Sequence, residues 1–150
     1  MARVDFYVLP EEGMEVIWRY TCRLAEKAAA LGHRIFIRTA AAAEADRLDE
    51  LLWTFSDRSF LPHEILTPAS PSHKKVAVLL GEEPAPADYR QLLINLTADL
   101  PADVQQYERI AEIVDNDPER KRQARERFRQ YREHGCTLES HNVPAAAGAE

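Results

Sequence analysis

Apolar residues fall along this chain in two rhythms. Short runs bounded by turn residues read as strands: Val4–Leu9 (VDFYVL), His33–Thr39 (HRIFIRT), Lys75–Gly81 (KVAVLLG) and Gln91–Thr97 (QLLINLT). Between the first two, Met14, Ile17, Trp18, Cys22, Leu24, Ala25, Ala28 and Leu31 recur at helical spacing, and Gly32 offers a stop. Glu11 and Glu12 precede that helix, where its dipole favours acids. Ala41–Trp53 reads as a second helix with Leu48, Leu51 and Leu52 inward, and Asp103–Asn116 as a third with Val104, Tyr107, Ile110, Ala111 and Val114 inward. Asp117-Pro118 is a strong start for a last helix, which runs to Gly135. TFSDRSFLPHEI reads as a turn with a short hydrophobic segment; LTPASPSHKK and EEPAPADYR read as loops. The alternation predicts an α/β fold: a three-layer α/β/α sandwich around a mostly parallel, Rossmann-like sheet of about four or five strands. One domain is expected over residues 1–142, with a disordered tail over 143–150.

Composition narrows the function classes. The 150 residues suit one domain with a real core. No apolar run approaches the roughly 20 residues of a membrane span, and the N-terminus lacks the pattern of a secretory signal. Cys22 and Cys136 form no CxxC pair, which suits a reducing cytoplasm. A nucleotide site would need glycines after the first strand, but the turn reads LPEEGM, whose two glutamates would repel a phosphate. His134, Cys136 and His141 have ligand chemistry suited to zinc, yet no fourth ligand and no paired spacing, so no metal is expected. No nucleophile motif and no poised acid–base pair is visible, so no enzyme and no cofactor is expected.

Charge adds the most informative feature. The chain carries 25 acidic against 19 basic residues. Seven of those basic residues lie between Arg120 and Arg132, opposed there only by Glu126. On a helical wheel Ala124, Phe128 and Tyr131 form an apolar stripe beside a cationic one of Lys121, Arg125, Arg129 and Arg132. A plain core face with a solvated back would explain this pattern. Like charges at i,i+4 spacing weigh against it, since they repel unless an anion sits among them. A short acidic peptide with an apolar end fits one narrow stripe, because arginine forks grip carboxylates while the notch takes a side chain. Direct binding of single-stranded nucleic acid by this helix is the alternative, against which stands the acidity of the remaining chain.

Several segments together resemble the chi subunit family of bacterial DNA polymerase III holoenzyme: RLDELLW (Arg47–Trp53), SFLPH (Ser59–His63), LLINL (Leu92–Leu96) and ARERFRQYREHG (Ala124–Gly135), with VDFYVL opening the chain. The resemblance covers about residues 3–140. It implies a non-catalytic replisome adaptor with a Rossmann-like fold and no nucleotide site. Such a protein pairs with the psi subunit of the clamp loader. It also binds the acidic C-terminal tail of single-stranded-DNA-binding protein, which ends in Ile-Pro-Phe, and so meets nucleic acid only indirectly. In some bacteria the psi-facing patch also serves an accessory helicase. Carried onto this sequence, the tail site comprises Val114, Lys121, Arg125, Phe128, Arg129 and Leu138. The psi patch comprises Trp53, Phe60, Leu61 and Pro62. The residues alone favour Trp53 and Phe60 as plain core, and it is the resemblance that reverses this. Phe128 stands where the family often has Tyr, and Cys136 where an aromatic occurs.

Overall fold

In a computed structural model, which describes residues 2–55, 61–66, 76–82 and 85–144, the sheet has seven strands among the described residues, all parallel, in the order β3-β4-β2-β5-β6-β1-β7. The chain runs β1 (Arg3–Val8), α1 (Met14–Ala30), β2 (Ile35–Arg38), α2 (Ala42–Thr54), β3 (His63–Ile65), β4 (Val78–Gly81), β5 (Leu92–Asn95), β6 (Arg109–Val114), α3 (Pro118–Glu133) and β7 (Thr137–Asn142). Short 3-10 turns at Ala87–Tyr89 and Val104–Gln106 lead into β5 and β6.

The central strands β2, β4 and β5 are buried on both faces. This is why they read as continuous apolar runs rather than alternating ones. α1 and α2 cover one face through Ile17, Cys22, Ala25, Leu48 and Leu52. On the other face α3 lays Ala124 and Tyr131 against Val4, Phe6 and Ile110, and the two 3-10 turns add Tyr89 and Val104. The expected three-layer Rossmann-like sandwich is therefore present. No helix among the described residues is long and apolar enough to cross a membrane.

Three expectations need correction. The sheet has seven strands among the described residues rather than four or five, because β3 and β7 lack the short apolar run of the others and β6 mimics a helix. Asp103–Asn116 is not a helix: after the turn at Val104–Gln106 the chain forms β6, inserted between β5 and β1. Ile110, Ala111, Ile113 and Val114 are buried on both faces, so their run shows no period-2 alternation, and the same positions mimic helical spacing. Their β-branched content was the clue to a strand. The segment after Gly135 is an ordered edge strand, β7, paired in register with β1 from Arg3↔Thr137 to Val8↔Asn142. Its sequence TLESHN is polar because it is largely exposed. The pairing continues one step further, as Val143 N donates to Val8 O at 2.9 Å. Residues 145–150 of the expected disordered tail lie outside the described residues.

A buried polar knot fixes α3 to the sheet. Glu112, at the centre of β6, is fully buried. Its carboxylate accepts from Asn95 Nδ2 at 2.7 Å, Tyr131 Oη at 2.7 Å and Arg127 Nε at 3.1 Å. Arg127 and Tyr131 belong to α3, so one acid in the sheet sets the rotation of the whole helix. Burial raises the Glu112 carboxyl above the usual carboxylate range, and the Arg127 charge and three hydrogen bonds pull the other way. Tyr131 is likewise pushed up by burial and by the neighbouring Glu112 charge.

Candidate functional site

The geometry of α3 begins at its ends. Asp117 caps it by accepting from Arg120 N at 2.8 Å, and Pro118 occupies the first turn. Gly135, at φ 84°, takes the left-handed conformation that ends the helix, and Cys136 N returns to Tyr131 O at 3.2 Å. With both ends held and Arg127 and Tyr131 buried, the neighbouring stripe of the helix overlooks strands β6, β1 and β7.

Between that stripe and the strands lies a cavity of about 400 Å³. Its floor and walls are apolar: Phe6 and Val8 of β1, Val114 of β6, and Ala124 and Phe128 of α3. Its rim is cationic, made by Lys121, Arg125, Arg129 and Arg132, with Ser140 of β7 on the far side. Phe128 leans on Phe6, ring centroids 5.3 Å apart, which leaves its ring half-buried along the wall. The structure thus brings together five of the six expected tail-site residues: Val114, Lys121, Arg125, Phe128 and Arg129. Val114 comes from a strand rather than a helix. Leu138 does not line the cavity; it sits two residues before Ser140, packed against the core beneath. Phe6, Val8 and Ser140 were missed. The alternation Val4, Phe6, Val8 put the first two on one face, but only the packing of α3 over that face makes them a pocket floor.

The charge imbalance of α3 is smaller in three dimensions than along the chain. Arg120 forms a two-point pair with Asp115, at 2.9 and 2.7 Å. Arg127 pairs with Glu112, Arg122 with Glu119, and Arg129 with both Glu126 and Glu133. Lys121 Nζ donates to Asn116 Oδ1 at 3.0 Å. Arg125 and Arg132 carry no ion pair among the described residues. So four of the seven cations of the run are paired with acids, but within the i,i+4 series Lys121, Arg125 and Arg129 only Arg129 is, and the open positive charge is concentrated on the cavity rim.

The start of α1, where Rossmann-like proteins hold phosphates, is filled from within. Gly13 N donates to Asp115 Oδ2 at 2.7 Å. Burial would raise the Asp115 carboxyl, but the Arg120 pair and the Gly13 N–H outweigh it and hold it below the usual range. A fixed carboxylate there supplies the anion that the helix dipole favours and leaves no room for another.

The aromatic patch is at the end of α2. Trp53 is 52% exposed, its ring centroid 4.5 Å from that of His63. His63 is itself held: its Nδ1 lies 2.6 Å from Leu61 O and its Nε2 3.1 Å from Asp49 Oδ1. Pro62 is exposed, whereas Leu61 is buried in the core beneath α2. Phe60 lies outside the described residues. As folded, Trp53 and Pro62 are the described members of this patch that face solvent.

His134, Cys136 and His141 do not converge on a metal-binding geometry. His141 instead joins Asp5 and Glu139, the one three-residue group of potential ligands among the described residues. Arg3 and Arg109 also donate to Asp5, so two positive charges already stand where a cation would. Burial would raise the Asp5 carboxyl, but hydrogen bonds from His141, Arg109 and Arg3 together hold it low. The cluster ties β7 and β6 to β1.

Comparison with known proteins adds a separate line of support. Residues 1–139 match the family model for the DNA polymerase III chi subunit, HolC. The chain is 40% identical over 144 residues to DNA polymerase III subunit chi of Pseudomonas aeruginosa, covering 96% of this chain and 99% of that one. It is 31% identical over 140 residues to the subunit of the same name from Haemophilus influenzae, covering 93% and 96%. The Escherichia coli subunit is 26% identical over 142 residues, covering 92% and 96%. Among solved structures, T4 UvsW superposes with a TM-score of 0.66 at 8% identity, over 95% of this chain and 41% of that one, a likeness of fold alone.

Proposed function

Because the chain belongs to the DNA polymerase III chi subunit family, we propose that it works as a non-catalytic adaptor, holding the acidic C-terminal tail of single-stranded-DNA-binding protein in the α3 cavity and reaching the clamp loader through the psi subunit at the Trp53 patch. The observation that carries the reading is the cavity: an apolar floor of Phe6, Val8, Val114 and Phe128 under a rim of four cations, two of them without an ion pair among the described residues. That combination matches a peptide that is acidic along its length and apolar at its end. The carboxylates meet guanidinium forks, and the terminal ring is buried against the floor.

The test uses two labelled peptides in fluorescence anisotropy: the cognate acidic tail and the same peptide lacking its final Phe. The full tail is expected to bind at least about tenfold more tightly, since burying a Phe side chain contributes roughly 1.5–3 kcal/mol. Equal binding would leave only an anion patch. Binding that instead grows with oligonucleotide length and falls steeply with salt would favour single-stranded nucleic acid as the ligand.

The Trp53 patch supports the second half of the reading. A large aromatic half out of solvent, propped by a buried histidine and beside an exposed proline, has the character of an interface anchor. Trp53→Ala is expected to weaken association with psi by about tenfold or more while leaving tail binding unchanged. A parallel loss of tail binding would instead indicate a damaged fold, because the two sites lie on opposite faces of the sheet.

A further inference from the structure

The four rim cations of the α3 cavity are not equivalent. Arg125 and Arg132 carry no ion pair among the described residues, and Lys121 is bonded only to a neutral amide oxygen. Arg129 is different: both of its terminal nitrogens are taken. Nη1 donates to Glu133 Oε2 at 2.9 Å, and Nη2 to Glu126 Oε2. The two glutamates lie three residues before and four residues after Arg129 on the same helix, where side chains are neighbours by construction. From the side away from the cavity, they place two carboxylates on a guanidinium that also lines it.

We propose that Glu126 and Glu133 are built-in competitors for the acidic ligand: in the empty protein they occupy Arg129, and a ligand carboxylate gains that fork only by displacing one of them. The proposal rests on the tail-binding reading of this cavity. The pairs are suited to exchange. Arg129, Glu126 and Glu133 are 50%, 49% and 62% exposed at their side chains, so water and salt weaken both contacts. An anion with one carboxylate finds Arg125 or Arg132 open and gains little from Arg129. A segment with several carboxylates in sequence can hold the open pair and still exchange onto the third fork. The glutamates thereby set a threshold of charge that a ligand must exceed, and they lower affinity for weakly acidic segments more than for strongly acidic ones.

The experiment measures binding of the labelled acidic tail to the full chain by anisotropy at fixed salt. Glu126→Gln is expected to tighten binding about two- to fivefold, the range that loss of one exposed pair allows, and the Glu126→Gln/Glu133→Gln double variant to tighten it further. Two controls separate release of Arg129 from a general change in charge. Glu119→Gln removes the same charge from the same helix but frees Arg122, which does not line the cavity, and is expected to leave affinity unchanged. In an Arg129→Gln background, Glu126→Gln is expected to have no effect, while Arg125 and Arg132 keep binding measurable. A gain from Glu119→Gln equal to that from Glu126→Gln, or a gain that survives Arg129→Gln, would overturn the proposal, as would no gain at all in a wild-type protein that binds the tail. Absence of tail binding by the wild-type protein would instead remove the underlying reading, and the proposal with it.

Discussion

Arg127→Ala is expected to lower the stability of the folded protein by about 3–5 kcal/mol, the range for breaking a buried ion pair from one side. On a helical wheel Arg127 flanks the apolar stripe on the side away from the cationic one, together with Arg120, but nothing in the sequence marks it as buried. In the structure it is buried, with its Nε on Glu112 and the Glu112 carboxylate otherwise enclosed by Asn95 and Tyr131. Removing the guanidinium leaves an acid inside the sheet without a counter-charge. The cost also has a pH signature. Burial already raises the Glu112 carboxyl, and loss of Arg127 raises it further. A carboxyl whose folded value lies above its unfolded one takes up a proton on folding, so stability falls as pH rises from the unfolded value, about 4.3, through the folded one. The deficit relative to wild type is therefore smaller near pH 4 than at pH 7. Urea unfolding at the two pH values measures it. A deficit under about 1 kcal/mol at pH 7 would show that the knot does not hold α3.

Arg125→Ala is expected to weaken binding of the acidic tail by about 1.5–3 kcal/mol, roughly ten- to a hundredfold, with no comparable change in stability. Arg125 is exposed on the cavity rim, and no acid among the described residues occupies it. Its whole donor set is available, so a ligand carboxylate gains a charge-assisted fork without displacing anything. Arg125→Lys keeps the charge but loses the planar fork and is expected to fall between the two. Titration of the labelled tail, with a thermal melt of each variant, reads both quantities. Unchanged affinity in a folded Arg125→Ala protein would move the tail site away from α3.

The physical character of each segment explains what could be read early. β1, β2, β4 and β5 were legible because they are short, apolar and bounded by turn residues, and α1 and α2 because a helix packed on one side of a sheet keeps its 3.6-residue period. β6 was misread because burial on both faces erases the alternation that distinguishes a strand. β7 was missed because an exposed edge strand needs no apolar residues, and its order comes from the β1 backbone and the Asp5 cluster. The same division runs through the site. Lys121, Arg125, Phe128 and Arg129 share a stripe by helical geometry alone, so their convergence could be drawn on a wheel. Phe6, Val8 and Ser140 enter through a parallel pairing between segments more than a hundred residues apart, which no local pattern encodes.

Local sequence is enough for the α/β class, the limits of α3, the stripe of cations beside apolar residues, and the lack of a glycine-rich turn after β1. These are local properties, dictated by side-chain period, capping and turn chemistry. Which of those cations are open depends on how the chain packs. Arg120 and Arg127 point to acids contributed by β6 and the turn that follows it, Arg129 is shared with its own helix, and Arg125 and Arg132 remain on the rim of a pocket. Charge along a chain is additive, but the availability of a charge depends on what the fold brings within about 4 Å of it.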